Sequence, residues 1–233
     1  MTRNLTTIGL DADDTLWQNE QFFRMTQQRF AELLADYAAP DHLHGRLLAA
    51  ERRNLGHYGF GIKGFVLSMI ETAIEVTGEK VPASVIGRIL EAGQDMLQHP
   101  IELLPHARAA VEALAGSHRL LLITKGDLLD QERKLAQSGL GELFDGVEIV
   151  SDKTPDVYAA IFARQGDGAE RAMMVGNSLR SDVLPAIEAG AWGVHVPHDL
   201  TWTLEHAEAP EGLDRYSELP HLGELPALVA GLE

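Results

Sequence analysis

Downstream of residue 100, short apolar segments alternate with longer amphipathic ones, and this alternation limits the chain to few folds. Strands separated by helices pair in parallel through right-handed crossovers, because each helix must return over one face of the sheet. The predicted strands are Leu120–Ile123, Val147–Val150, Ala172–Val175 and Gly193–Val196. The predicted helices are Leu128–Ser138, Asp156–Arg164 and Leu179–Ala189, with a last helix at Leu222–Leu232.

A further apolar run, Leu5–Leu10, is separated from these strands by an all-helical block. Within the block, apolar residues recur at helical spacing from Phe22 to Tyr37, and Pro40 breaks the pattern. Further helices are predicted at Leu43–Arg53, Lys63–Val76 and Ser84–Leu97, with a glycine-rich irregular loop at Leu55–Gly61. We therefore expect an α/β fold: a Rossmann-like parallel sheet core formed by residues 1–17 and 100–233, with a helical cap of residues 18–99 inserted after strand one.

Composition excludes several functional classes. The 233 residues include no cysteine, which rules out thiol catalysis, disulfides and metal–thiolate sites. The formal net charge of −16 repels a phosphate backbone, so no nucleic acid polymer is expected as a partner. No apolar run approaches the roughly 20 residues of a membrane span, so no membrane partner is expected either. These features predict a cytoplasmic protein, and they leave its oligomeric state open.

Polar residues follow the predicted strands at the points where each strand ends. Asp11 and Asp13 follow strand one, and side chains two residues apart at a strand end point to the same side. Two carboxylates that share a cleft favour a cation between them, and oxygen ligands of this kind suit Mg²⁺. The later strands are followed by Thr124-Lys125-Gly126, by Lys153, and by the segment Gly176–Asp182.

These segments together resemble the four motifs of the haloacid dehalogenase superfamily. The motifs are Asp-x-Asp-x-Thr from Asp11, Thr124 ahead of a glycine, Lys-x-Pro-Asp from Lys153, and Gly-x-x-x-x-x-Asp from Gly176 to Asp182. They occur in this order between Ile8 and Gly190, and the helical block between the first two resembles the type I cap of that superfamily. The second carboxylate of the first motif favours a phosphatase over a dehalogenase.

The resemblance implies a Mg²⁺-dependent phosphatase that hydrolyses small phosphorylated metabolites through an aspartyl-phosphate. Asp11 is the implied nucleophile and Asp13 the implied general acid and base. Thr124 is expected to hold phosphoryl oxygens, and Lys153 to balance the charge on Asp11 and the phosphate. The implied metal ligands are Asp11, the main-chain carbonyl of Asp13, Asp182 and Asn177. The candidate substrate-binding residues are Lys125, Gly126, Trp17, His57 and Lys63.

Several alternatives stay open at this point. Asp14 stands where the superfamily usually has glycine, and Asn177 stands where aspartate is frequent, which predicts weaker metal binding. Taken singly, each motif also has a structural explanation as a solvated turn or a helix cap. A phosphomutase of the same fold, a dehalogenase-like or phosphonatase-like enzyme in which Lys63 forms a Schiff base, and a non-catalytic member are the alternative functions. The physiological substrate is not encoded in any motif.

Overall fold

A computed structural model describes residues 5–210 and 212–232, and the chain groups into two compact units. One unit, the sheet unit, comprises Met1–Glu20, Ile101–Lys125 and Gln131–Glu233. The other, the helical unit, comprises Gln21–Pro100 and Gly126–Asp130. The short segment 126–130 therefore groups with the helices, although the sequence analysis assigned it to the core.

The sheet unit is built on six parallel strands in the order β3-β2-β1-β4-β5-β6, which confirms the predicted Rossmann-like α/β fold. The strands are β1 (Thr7–Leu10), β2 (Arg119–Lys125), β3 (Gly146–Val150), β4 (Ala172–Gly176), β5 (Trp192–His195) and β6 (Tyr216–Glu218). The sixth strand has no counterpart in the sequence prediction. Its three residues, Tyr-Ser-Glu, include only one apolar side chain, so periodicity gives no signal there.

Side chains from the central strands alternate between two apolar clusters. In β2, Leu120 and Leu122 belong to one cluster, and Leu121 and Ile123 belong to the other. This period of two is the geometry of a pleated strand that is buried on both faces. The central strands β1, β2 and β4 consequently appear in the sequence as apolar runs, which is why they were predictable.

Helices lie between most of the strands of the sheet unit, and the last helix follows β6. They are α5 (Ala107–Leu114), α6 (Leu128–Ser138, of which residues 131–138 belong to this unit), α7 (Pro155–Gln165), α8 (Leu184–Glu188) and α9 (Leu225–Leu232). The predicted helix Leu179–Ala189 is divided, because Leu179–Val183 forms a π-helical turn before α8. Such π-helical turns are rare and occur frequently at functional sites.

The helical unit contains most of α1 (Glu20–Leu33), together with α2 (Pro40–Tyr58), α3 (Ile62–Val76) and α4 (Ala83–Gln98). The predicted loop at Leu55–Gly61 is wrong for its first half, since α2 continues to Tyr58 and is followed by Gly59, whose φ is 71°. Pro40 occupies the first turn of α2, where its missing N–H costs nothing, so it begins the helix. None of the described helices is long and apolar enough to cross a membrane.

The packing beneath the sheet predicts a large stability effect for one side chain. Phe162 of α7 is fully buried in the cluster that contains Leu121 and Ile123. Substituting Phe162→Ala is expected to lower the free energy of unfolding by about 3–5 kcal/mol, through lost burial and the cavity left behind. Urea unfolding measures this loss. Val147→Ala, at a half-exposed position of β3, is the control and is expected to cost less than about 1 kcal/mol; equal losses would contradict the packing described.

Candidate active site

The carboxyl ends of three neighbouring strands bring the motif residues to one edge of the sheet unit. β1 pairs in parallel with β2 on one side and with β4 on the other. Asp11 directly follows β1, Thr124 is buried near the end of β2, and Gly176 ends β4. In open parallel sheets this edge is where ligands bind.

A buried lysine joins two carboxylates at this edge. The Lys153 Nζ donates to Asp11 Oδ1 at 2.5 Å and to Asp182 Oδ1 at 2.6 Å. The Lys153 side chain is only 2% exposed, and both carboxylates are buried as well. Asp182 Oδ2 also accepts from the Ser178 N–H at 3.0 Å. The three predicted residues Asp11, Lys153 and Asp182 therefore form one hydrogen-bonded cluster.

Glycine is required at position 176 because Asp182 lies against it. A Cβ atom built on Gly176 would stand 2.2 Å from Asp182 Oδ2, far inside van der Waals contact. Absence of a side chain at the end of β4 is thus what allows the Asp182 carboxylate to reach Lys153. This close approach explains why the fourth motif begins with glycine.

The cluster has an excess of negative charge. Burial and the nearby Asp182 carboxylate raise the pKa of Asp11 from 3.8 to about 7, although Lys153 opposes the shift. Burial disfavours the ammonium of Lys153, but Asp11 and Asp182 outweigh it and hold the pKa of Lys153 well above its ordinary value. Two carboxylates beside one ammonium leave one negative charge uncompensated, so a further cation would be stabilised here.

Asp13 has its own set of donors, and its charge also acts on Asp11. Its Oδ1 accepts from Trp17 Nε1 at 2.7 Å, and its Oδ2 accepts from Gln131 Nε2 at 2.8 Å. The Lys134 Nζ lies 3.0 Å from Oδ1 and 3.1 Å from Oδ2. Sequence reasoning missed Gln131 and Lys134. Their spacing of three on α6 places them on one helix face, but nothing in the sequence connects that face with Asp13.

The turn after Asp13 explains one departure from the superfamily pattern. Asp14 has φ 60°, in the left-handed region that glycine enters freely and that aspartate tolerates better than most residues. Its carboxylate accepts from the main-chain N–H groups of Asn19 and Glu20, at the beginning of α1. Burial and the neighbouring Asp13 raise the pKa of Asp14 to about 6. Asp14 thus adopts the left-handed conformation of a turn where glycine is usual, and its carboxylate also caps the beginning of α1.

Thr15 and Asn177 connect the first and fourth motifs. The Thr15 hydroxyl lies 3.1 Å from Asp11 Oδ2 and 3.2 Å from Asn177 Oδ1. It also accepts from the Asn177 N–H at 3.0 Å. The main-chain carbonyl of Asn177 lies 3.2 Å from His195 Nε2. Asn177 is therefore held beside Asp11 by the threonine of the first motif.

A second buried network surrounds Lys125. Its Nζ donates to Glu205 at 2.6 Å and to Ser181 Oγ at 2.7 Å, and Glu205 also accepts from the hydroxyls of Ser178 and Ser181. Although burial opposes ionisation, the Lys125 charge and these hydrogen bonds lower the pKa of Glu205. Glu205 was not predicted from the sequence, where it lies outside every motif. The ammonium of Lys125, a predicted substrate contact, is engaged with this carboxylate.

The other predicted substrate-binding residues have different surroundings. Trp17 is fully buried in the core of the sheet unit, and its indole N–H is taken by Asp13, so this placement does not support a substrate contact. His57 and Lys63 belong to the helical unit, where His57 lies in the last turn of α2 and Lys63 pairs with Asp127 at 3.3 Å. Gly126, with φ 137°, groups with the helical unit too.

The chemistry of the donor set fits a hard divalent cation. Within residues 5–210 and 212–232 no group of three His, Asp or Glu side chains is arranged to hold a metal. A cation at Asp11 would instead use the carboxylates of Asp11 and Asp182, the amide of Asn177 and a main-chain carbonyl, which are all oxygen ligands. The uncompensated negative charge beside Lys153 is the observation that supports this fit.

Comparison with known proteins identifies the family. Residues 5–190 match the model of the haloacid dehalogenase-like hydrolases. The chain belongs to this family. It is also 30% identical over 221 residues to a glyceraldehyde 3-phosphate phosphatase of Methanothermobacter thermautotrophicus, covering 90% of this chain and 93% of that protein. The pyrimidine 5′-nucleotidase YjjG of Escherichia coli is 27% identical over 150 residues, which cover 61% of this chain and 64% of that one.

Solved structures of the family have the same fold. A haloacid dehalogenase-like family hydrolase from Xanthomonas campestris superposes with a TM-score of 0.87 and 43% sequence identity, over 98% of this chain and 91% of that one. The hydrolase YfnB of Bacillus subtilis, described as bound to magnesium, superposes with a TM-score of 0.68 at 16% identity, covering 97% of this chain and 99% of that one. At that identity the likeness supports the fold alone.

The close approach at Gly176 leads to a testable prediction. Gly176→Ala is expected to displace Asp182, break its contact with the Ser178 N–H and lower catalytic turnover by at least about tenfold, because small misplacements in an active site are costly. Steady-state kinetics on any accepted substrate measures the effect. Gly231→Ala in α9, where a Cβ meets nothing within 4 Å, is the matched control. Unchanged turnover in Gly176→Ala would show that the Asp182 position does not matter.

Removing the buried lysine should give a pH-dependent loss of stability. Lys153→Met leaves two buried carboxylates without a counter-charge, which costs about 3–5 kcal/mol. A carboxyl whose folded-state pKa is raised stabilises the fold when protonated, and this contribution is lost as pH rises through that pKa, about 7 for Asp11 with Lys153 present. As the pH is lowered from about 8 to about 5, the free energy of unfolding of the variant is therefore expected to rise relative to that of the natural protein.

Urea unfolding at both pH values checks this prediction. Arg164→Met, which removes the exposed pair with Glu148, serves as the control and is expected to cost less than about 1 kcal/mol at either pH. A loss for Lys153→Met that is the same at both pH values would argue against charge as the cause.

Proposed function

We propose that this hydrolase is a Mg²⁺-dependent phosphatase that cleaves small phosphate monoesters through a phosphorylated Asp11. The observation that carries the proposal is the buried cluster of Asp11, Lys153 and Asp182, with Asp13 two residues beyond the nucleophile. A carboxylate nucleophile flanked by one fixed cation, and by a second carboxyl group able to transfer protons, is what hydrolysis of a phosphate ester requires.

The reaction has two balanced steps. In the first, an Asp11 oxygen attacks phosphorus, the bond between phosphorus and the ester oxygen breaks, and Asp13 gives its proton to the departing alcohol. In the second, Asp13 takes a proton from water as the water oxygen attacks phosphorus. The bond between phosphorus and the Asp11 oxygen breaks, and its electrons return to Asp11. Inorganic phosphate then leaves. Asp13 is then protonated again for the next cycle.

Charge balance supports an anionic substrate despite the net charge of −16. Lys153 donates a hydrogen bond from its ammonium to Asp11, and Lys125 is paired with Glu205. A Mg²⁺ held by Asp11, Asp182, Asn177 and the main-chain carbonyl of Asp13 would supply the remaining positive charge for a phosphate dianion. Thr124 and the main-chain amides that follow it are the groups proposed to bind phosphoryl oxygens.

The names of the relatives support a substrate class. Their names record activity on a triose phosphate and on pyrimidine nucleotides, both small phosphate monoesters. We therefore propose a small phosphorylated metabolite as the substrate, with His57 and Lys63 of the helical unit as candidate residues for selecting its organic part.

Turnover on a panel of phosphate esters tests the proposal. The panel contains an aryl phosphate, glyceraldehyde 3-phosphate and pyrimidine 5′-mononucleotides, each assayed with Mg²⁺ and with a chelator. Release of phosphate is expected only with Mg²⁺, and Asp11→Asn is expected to lower it at least about a thousandfold, as when a covalent nucleophile is removed. Trapping of radioactive phosphate on the protein would report the intermediate directly.

Asp36→Asn, at an exposed position of the helical unit, is the matched control and should keep full activity. Turnover that is insensitive to chelation would overturn the metal dependence, and turnover that survives Asp11→Asn would overturn the nucleophile. Slow phosphate release that depends on an added bisphosphate would instead identify a phosphomutase.

A further inference from the structure

We propose that Lys134 is a positioning residue, which together with Gln131 holds the Asp13 carboxyl group in place for proton transfer to the leaving oxygen. The inference rests on the proposed function, since it concerns the residue to which that function gives the proton transfer. It adds to the reaction a lysine that lies outside the four motifs.

The contacts of Asp13 form a clamp around its carboxyl group. Lys134 Nζ is within 3.0 to 3.1 Å of both carboxyl oxygens, while Gln131 Nε2 and Trp17 Nε1 each bind one of them. Each oxygen therefore has two donors: Oδ1 accepts from Trp17 and Lys134, and Oδ2 accepts from Gln131 and Lys134, which both lie on α6. Rotation of the carboxyl plane would break several of these hydrogen bonds at once, so the clamp fixes the plane.

The clamp is itself rigidly supported. Lys134 Nζ also donates to Asn19 Oδ1 at 2.8 Å, so its ammonium is held at two places. Gln131 Nε2 also donates to the main-chain carbonyl of Lys125 at 3.1 Å, at the end of β2. This second contact fixes the orientation of the amide, since a flipped amide would set two oxygens against each other. No partner of Gln131 Oε1 occurs among residues 5–210 and 212–232.

The supporting lysine is more deeply buried than the carboxyl group that is proposed to react. The Lys134 side chain is 8% exposed, whereas that of Asp13 is 21% exposed. Asp13 thus keeps an accessible side for a ligand, and Lys134 has little access of its own. A role for Lys134 as a direct substrate contact is disfavoured by this burial, and a role through Asp13 is favoured.

The energetic consequence follows from the geometry of proton transfer. A general acid must come within about 2.6–3.2 Å of the atom that it protonates, and it contributes about 10²–10⁴-fold to the rate. Misplacement by about 1 Å can cost about 100-fold. Loss of the clamp should therefore be severe when the departing group needs a proton, and slight when it does not.

Leaving-group dependence separates positioning from simple structural support. p-Nitrophenyl phosphate has a good leaving group that departs without protonation, whereas an alkyl phosphate such as glycerol phosphate has a poor one. Lys134→Met is expected to lower kcat about 100-fold on the alkyl phosphate and less than about 10-fold on the aryl phosphate. Asp13→Asn measures the difference between the two losses of kcat when the proton donor is removed altogether. Lys134→Arg should restore part of the kcat on the alkyl phosphate.

Two further variants keep the test decisive. Lys80→Met, at an exposed position, controls for loss of a lysine and should change neither rate. If Lys134→Met does not fold, Asn19→Ala removes only the additional acceptor of Lys134 and should show the same leaving-group dependence at smaller size. Circular dichroism and thermal unfolding establish that each variant is folded before its kinetics are compared.

The outcomes are distinct. A loss in folded Lys134→Met that is equal for both substrates would overturn the positioning role, even if Asp13→Asn discriminates between them. Absence of leaving-group dependence in Asp13→Asn would overturn the role of Asp13 in proton transfer, and the inference with it. Absence of turnover by the natural protein on every ester would reject the proposed function itself, and this result is separate from any property of Lys134.

Discussion

The ammonium of Lys153, buried between two carboxylates, is the interaction on which the site depends. It ties the loop after β1 to the loop after β4 by way of the loop after β3, through Asp11 and Asp182. Charges so deeply buried are tolerated only when they are paired. The cluster consequently sets strict steric demands on its neighbours, of which the bare backbone of Gly176 is the clearest.

This arrangement also explains why the motifs are far apart in sequence and few in number. Asp11 and Lys153 are separated by 142 residues, and only the parallel sheet brings them together. The central strands β1, β2 and β4 are largely apolar, and the polar residues of the site lie at or just after their carboxyl ends. The fold thus provides a rigid scaffold on which a small set of side chains defines the chemistry.

The parts of the fold that were predictable are those with strong periodicity. The central strands are buried on both faces, so they appear in the sequence as apolar runs, and α6 agrees with its predicted bounds of Leu128–Ser138. Short polar elements such as β6 give no such signal. Helix α5 was missed as well. It begins after His106, whose φ of 68° is a left-handed conformation that the sequence pattern does not predict.

For the site, the motif residues were predictable and their partners were not. Asp11, Lys153 and Asp182 fall at strand ends, where the fold itself indicates function. Gln131, Lys134 and Glu205 lie on helical segments, where a polar residue has many possible roles and only tertiary contacts select one. The sequence shows Asp14 as a departure from the glycine that is usual in the superfamily. Only the structure reveals that it combines a left-handed turn with a helix cap.

The strand order has a consequence for synthesis of the protein on the ribosome. β1 is made first, yet it lies between β2 and β4, which are made about a hundred residues or more after it and close both of its edges. Chains emerge at about 5–20 residues per second, so β1 waits for several seconds without either partner. The intervening helical segment, Gln21–Pro100, is largely continuous in sequence and has an apolar cluster of its own. It can therefore begin to fold during that interval, whereas Asp11 can pair with Lys153 only after residue 153 has been added.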